Sequence, residues 1–336
     1  MAIGKALLAV GLCTAEALSD EDVGYHRLFE TANDEFDNRC APSMGKEMPK
    51  YLQGGSFVIG SVGQQEMGDR HFVGYLDAFG KYTRYTVEDG QVCATYRMMR
   101  TGFYNNSVEA GTIASGLLFY ETEPPRQCPL WDPICDLHSP NDNTFVNTFM
   151  HDGQLLSVTD SVWMLTVDPV SLNVTGKQKW NDSGIQDKFS IPAAGSAHPE
   201  WNKKYSETID FVGNENPLTG ATDIVIYGMS DVHKDSRKKY GATAPMKSTP
   251  YMHSFGITNN YTILPRMPVK FSLPLSKGKS MSESFSDLPL PEPSEDNAFW
   301  LVPLDGGDVI KKFLPVDEKL YYTHTVNSFE VPEKSG

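Results

Sequence analysis

Positive charge is the first thing this 336-residue chain has little of: 29 Lys and Arg stand against 43 Asp and Glu, for a formal net charge of −14. That balance disfavours a nucleic-acid interface, which needs clustered Lys and Arg. Long apolar runs are missing too, and no segment reads as a transmembrane helix. Stretches with a 3.6-residue period are scarce, and no clean WD or kelch repeat is present. None of the eight histidines belongs to a compact metal signature of the H-E-x-x-H type. What remains is a chain of 40% hydrophobic residues, enough for a sizeable core in one or two domains, punctuated by 28 Gly and 22 Pro. That composition leans toward β-structure with many turns.

Hairpins recur along it. "YTRYTVEDGQVCATYRMM" turns at Asp89-Gly90, and "FMHDGQLLSVTDSVWMLTVDP" at Asp152-Gly153 and again near Asp168-Pro169. "TIDFVGNENPLTGATDIVIYGM" and "AFWLVPLDGGDVIKKF" repeat the pattern. Short strands with regular turn signals predict an all-β barrel, sandwich or propeller. Residues 120–143 and 276–297 are polar and Pro-bearing and read as long loops on one scaffold, because hairpins resume on either side.

The N-terminus has the layout of a secretory signal over residues 1–17, with Lys5 ahead of an apolar segment and Ala15-Glu16-Ala17 as a small-x-small site. A bipartite organelle-targeting sequence begins the same way. Removing it takes away Cys13 and leaves Cys40, Cys93, Cys128 and Cys135, an even number with three pairings, or four free thiols. Cys128 and Cys135 bracket "PLWDPI", a candidate loop clip. Asn105, Asn173, Asn181 and Asn260 begin N-x-S/T sequons.

Three histidines stand out by context: His198 in "GSAHPEWN", His253 in "YMHSFGITNNYTI" and His324 in "YYTHTVNSFE". By spacing alone they are ordinary core or surface histidines. The run around His253 has the alternating rhythm of a buried strand, and each of the three is expected near a strand end. Ligands contributed once per blade can converge on a propeller axis although far apart in sequence.

At these residues the sequence resembles the carotenoid cleavage oxygenases, the family that splits carotenoids and apocarotenoids at a double bond and includes the retinoid isomerohydrolase of the visual cycle. "MPKYLQGGSFVIGSVG", "DAFGKYTRYTVEDGQVCATYRMMRTGFY", "NTFVNTFMHDGQLLSVTDS", "SAHPEW", "YMHSFGITNNYTILPRMPVK" and "YYTHTVNSFE" carry the resemblance, in family order. It implies a seven-bladed β-propeller over residues 18–336, with Fe(2+) on its axis held by four histidines. His198, His253 and His324 would be three of them. Neutral imidazoles suit iron(II) and leave positions for O2. Family glutamates accept hydrogen bonds from the ligands' second nitrogens. Where one is expected, this chain has Asp160, one methylene shorter, placed to orient His253.

Other departures follow. "RHFVGYLDAFG" replaces a His-Trp-Phe-Asp type segment, leaving His71 out of register, so His71 reads as structural. His233, in "SDVHKDSRKKY", is surrounded by charge and is no substitute ligand. The chain stops at Gly336, whereas family members continue through further blades that hold the fourth histidine and the remaining glutamates. The propeller is therefore expected to be present only in part, as a C-terminally incomplete sequence or else a naturally shortened relative.

The resemblance implies a non-haem oxygenase cleaving a carbon-carbon double bond of a carotenoid or apocarotenoid. The alternative is a non-catalytic propeller-derived protein that binds a hydrophobic polyene or retinoid. Ester cleavage with isomerisation shares the scaffold. Such substrates dissolve in membranes, and "ILPRMPVKFSLPLSKGK", with Phe271, Leu273 and Leu275 beside Lys270, Lys277 and Lys279, is the candidate peripheral membrane contact or else an ordinary strand entering a loop.

Overall fold

The computed structural model describes residues 30–42, 48–114, 121–126, 130–131, 142–181, 184–186, 190–247, 249–271, 297–315 and 320–331. In chain order its strands begin with β1 (Phe36–Pro42), β2 (Ser56–Gln64), β3 (Glu66–Met67), β4 (Arg70–Phe72), β5 (Phe79–Glu88) and β6 (Gln91–Met98). Helix α1 (Gly102–Ala110) follows, then β7 (Thr122–Glu123). Next come β8 (Asn147–His151), β9 (Gln154–Val158), β10 (Met164–Val167) and β11 (Val174–Lys177). The third group is β12 (Ile191–Gly195), β13 (Glu200–Asn202), β14 (Glu207–Glu215), β15 (Thr222–Met229) and β16 (Arg237–Ala242). The last is β17 (Thr249–Pro250), β18 (Gly256–Ile257), β19 (Tyr261–Arg266), β20 (Lys270–Phe271), β21 (Ala298–Pro303) and β22 (Ile310–Phe313).

Among the described residues most of these strands build four larger antiparallel sheets that succeed one another along the sequence, in the orders β1-β6-β5-β2, β11-β10-β9-β8, β12-β14-β15-β16 and β18-β19-β21-β22, while β3-β4-β7 and β17-β20 form two small ones. Strand β13 pairs with the end of β14. The hairpin turns fall where the sequence puts them. Asp89 and Gly90 have φ of 48° and 74°, and Asp152 and Gly153 have 48° and 71°. Two successive positive φ values match the right-handed twist of the flanking strands, which is why Asp-Gly is selected there.

Each sheet packs face to face on the next. Along β14, Ile209 and Phe211 join Ile224 and Ile226 of β15 in a cluster with Leu264 and Trp300 of the fourth sheet. The alternate residues, Val212, Val225, Tyr227 and Met229, pack instead on Leu156, Val158 and Met164 of the second sheet. Period-two alternation therefore buries both faces of the third sheet, and its strands read as nearly continuous apolar runs. Tyr82, Met99 and Phe145 fill the space between the first and second sheets with Leu155 and Val167. There the backbones approach so closely that a Cβ on Gly60 would fall 1.8 Å from the carbonyl oxygen of Phe145.

The sequence offered no helix, yet α1 has clear ends. Thr101 Oγ1 accepts from the Tyr104 amide, and the buried Asp142 carboxylate accepts from the amides of Gly102 and Phe103. Gly111, with φ 66°, closes it. These side chains satisfy the free amides of the first turn and compensate for the helix's short length. A disulfide joins Cys40 of β1 to the opposite Cys93 of β6. Cys128 and Cys135, residues 1–17, most of 120–143, and the membrane-contact candidate from residue 272 onward lie outside the described residues. Among the described residues, no helix is long and apolar enough to cross a membrane.

Candidate metal centre

His198 sits between β12 and β13, and His253 in the irregular stretch between β17 and β18. His324 lies in residues 320–331, where no strand forms. Two expectations are corrected here. The run around His253 is not a strand, and His324 is not at a strand end. Tyr251, Met252 and Phe255 are apolar because they are buried, not because they alternate on a ladder.

The three imidazoles meet although they are 55 and 71 residues apart in sequence. His198 Nε2 and His253 Nε2 are 3.0 Å apart. Ring centroids are 4.6 Å apart for His198 and His253, 4.7 Å for His198 and His324, and 4.9 Å for His253 and His324. One nitrogen from each lies within 4.8 Å of the other two, the one such group of three metal-capable side chains among the described residues. Nitrogens bound to one ion at about 2.1 Å would sit roughly 3.0–3.4 Å apart, so the cluster fits a divalent cation with small adjustments.

Asp160, just after β9, accepts from His253 Nδ1 with both oxygens, at 2.9 and 3.0 Å. Carboxylates only accept, so the His253 proton belongs on Nδ1 and the Nε2 lone pair faces His198. Tyr251 donates its hydroxyl to Asp160 Oδ2 at 3.0 Å. Burial, then the Asp160 charge, raises the Tyr251 pKa well above the ordinary range, which keeps that hydroxyl a donor. The Asp160 carbonyl in turn accepts from the Gly195 amide at the start of the His198 loop.

His198 is pushed down to about 4, first by burial and then by His253 and His324, with Asp160 opposing. It is therefore a neutral imidazole at pH 7. The pH consequence is definite in sign. Between about 6.5 and 4 the unfolded chain binds a proton on this ring that the folded protein refuses, so stability is lost as pH falls through that window. In metal-free protein, the thermal midpoint of a His198→Gln variant is expected to fall less than the parent's between pH 6.5 and 4; equal slopes would show that His198 is not held neutral.

The other described histidines stand apart. His71 is exposed, 3.7 Å from Glu123. His151 is buried, with Nε2 on the Lys234 carbonyl and Trp180 beside its ring. His233 is exposed in a turn. Sequence reasoning missed Tyr251, although its place two residues before His253 was a usable signal. It also missed two buried serines next to these histidines, Ser196 and Ser254.

The sequence profile of the retinal pigment epithelial membrane protein family, RPE65, matches residues 29–335, and the chain belongs to that carotenoid oxygenase family. It is 26% identical over 300 residues to the mitochondrial carotenoid-cleaving dioxygenase of Mustela putorius furo, covering 84% of this chain and 52% of the relative. It is 21% identical to the carotenoid isomerooxygenase of Galleria mellonella, covering 84% and 55%. The chain thus spans about half the length of the curated relatives it matches. Among solved structures, a glutamate-to-glutamine variant of Synechocystis apocarotenoid oxygenase superposes with a TM-score of 0.67 at 20% identity, over 89% of this chain and 60% of that one. The cobalt-substituted form of the same oxygenase superposes at 0.63 and 18% identity, over 85% and 57%. The fold is accordingly all-β, the β-propeller type present in part.

Proposed function

We propose that His198, His253 and His324 hold Fe(2+), and that the protein is a non-haem oxygenase cleaving a carbon-carbon double bond of a carotenoid or apocarotenoid. The observation that carries this reading is the convergence of three imidazole nitrogens with Asp160 seated on the central one. The iron would supply activation of O2, whose two atoms end in the two carbonyl fragments of the split alkene. The chain's own residues do the rest. Asp160 keeps the His253 proton on Nδ1, Tyr251 occupies one of the carboxylate oxygens, and the depressed pKa of His198 leaves that ring free to bind a cation at neutral pH. For the N-terminal segment we favour the organelle-targeting reading over the secretory one, because one relative is named as mitochondrial. The Cys40–Cys93 disulfide then requires that the organelle's compartment be an oxidising one.

Anaerobic loading with Fe(2+), metal analysis, and chromatography of products from a panel of carotenoids and apocarotenoids test the proposal. One iron per chain and carbonyl fragments sustain it. Iron-independent binding of a polyene without turnover would favour the carrier alternative. Alongside, Asp160→Ala is expected to weaken iron affinity roughly 10- to 100-fold while Asp160→Glu retains or improves it. If both variants match the parent, Asp160 is a plain strand-end aspartate.

A further inference from the structure

The three ligand segments are irregular, so no sheet ladder fixes their spacing. Two buried hydroxyls do connect them. Ser196, 2% exposed, donates Oγ–H to the His253 carbonyl at 2.9 Å and accepts from the His198 amide at 2.9 Å. Ser254, 3% exposed, donates to the Thr323 carbonyl at 2.9 Å and accepts from the Thr325 amide at 2.7 Å. Thr323 and Thr325 flank His324. Ser196 thus gives its single proton to the His253 segment and takes one from the His198 amide, while Ser254 gives to and takes from the backbone on both sides of His324. Ser196 ties the His198 loop to the backbone of His253, and Ser254 ties the residue after His253 to the backbone around His324.

Both stitches rest on firm ground. The Ser196 amide donates to the carboxylate of Asp210, a fully buried side chain that also accepts from the Tyr227 hydroxyl at 3.1 Å. At the far end of the His324 segment, Glu330 accepts from the Asn260 amide at 3.0 Å and from Asn260 Nδ2 at 2.7 Å. In the middle of that segment, where His324 is exposed, Ser254 holds the backbone on both sides of His324, and Met267 Sδ accepts from the Tyr322 amide at 3.1 Å.

We propose that Ser196 and Ser254 are positioning residues that set the spacing of the three metal-binding nitrogens, Ser196 between His198 and His253, and Ser254 between His253 and His324. The inference rests on the metal-site reading above. Ser196→Ala leaves the His253 carbonyl and the His198 amide without their bridge, and Ser254→Ala leaves the Thr323 carbonyl and the Thr325 amide around His324 without theirs. The imidazoles then sample a wider range of separations, and cation affinity falls. Partners one step removed from a metal are worth about 10- to 100-fold in affinity.

The test is titration of the metal-free 336-residue chain with Co2+, read by affinity and by the visible spectrum of the bound ion, with the thermal midpoint of the metal-free form as a check on folding. Ser196→Ala and Ser254→Ala should each weaken Co2+ roughly 10- to 100-fold and alter the spectrum, while Ser196→Thr and Ser254→Thr, which keep the hydroxyl, should bind like the parent. In a His324→Ala background, Ser254→Ala should cost nothing further, since the ligand it positions is gone. Alanine variants with the parent's affinity and spectrum overturn the inference alone, as do threonine variants as weak as the alanine ones. A parent that takes up no Co2+, or a His253→Ala chain that binds as the parent does, overturns the site itself and this inference with it.

Discussion

Replacing His253 by Ala is expected to remove stoichiometric metal uptake at neutral pH. Of the three rings, His253 is the one tied to the most partners. Its Nε2 faces His198 Nε2 at 3.0 Å, and its Nδ1 is held by Asp160. The substitution keeps the carbonyl that Ser196 binds, so the loss is confined to the ring. Divalent metals bound by preformed protein sites gain on the order of 10 kcal/mol. A third of that, about 3 kcal/mol, corresponds to a loss of roughly 200-fold. The Asp160 carboxylate would also lose the His253 Nδ1–H donor and keep the Tyr251 hydroxyl. Competition titration against a chromophoric chelator measures the effect, with His71→Ala as the control expected to bind like the parent. Equal affinity in His253→Ala would place the metal elsewhere.

The hairpins were legible because their signals are local. Asp89-Gly90 and Asp152-Gly153 each need two positive φ values, and few other dipeptides supply them. Pairing within each hairpin followed, since consecutive antiparallel strands pair, whereas the order β1-β6-β5-β2, with β1 on β6 and β2 on β5, has no local signal. The helix Gly102–Ala110 was missed because its N-terminal support comes from Asp142, 39 and 40 residues away. The histidines could be chosen only through resemblance, because convergence of residues 55 and 71 apart is a property of sheet arrangement that no local pattern encodes. The misread strand at His253 has a physical reason too. A buried segment must satisfy its peptide groups, and here the serine hydroxyls and loop backbones do so in place of a ladder. An apolar, evenly spaced sequence looks the same in either case. Tyr251, Ser196 and Ser254 sat inside the quoted histidine motifs, but only the folded geometry distinguishes a hydroxyl that bridges two segments from one that faces water.

Trp300→Ala is expected to destabilise the fold by about 3–5 kcal/mol, the usual range for emptying a large buried aromatic site. Trp300, 1% exposed, lies on β21 in the cluster between the third and fourth sheets, with Phe211, Ile226 and Leu264. Lys311 Nζ stands 4.0 Å from its ring centroid, and Arg266 lies on the ring as well, at 5.4 Å. Removing the indole opens a cavity and takes the aromatic face from both cations. The indole Nε1 is buried without a hydrogen-bond partner among the described residues. Trp300→Phe therefore strips away no made hydrogen bond, and it should cost less than half as much as the alanine change. The same cluster contains Met252 and Phe255, which lie on either side of His253. Loosening it lets the His253 segment move relative to the third sheet, so metal affinity should fall in Trp300→Ala even at temperatures where the chain is folded. Urea denaturation of the metal-free chain gives the first effect, and Co2+ titration below the unfolding transition gives the second. A cost under about 1 kcal/mol would mean that this cluster does not form the packed seam between the two sheets. Lost stability with unchanged metal affinity would mean that Ser196 and Asp160 hold His253 in place without help from the core beneath it.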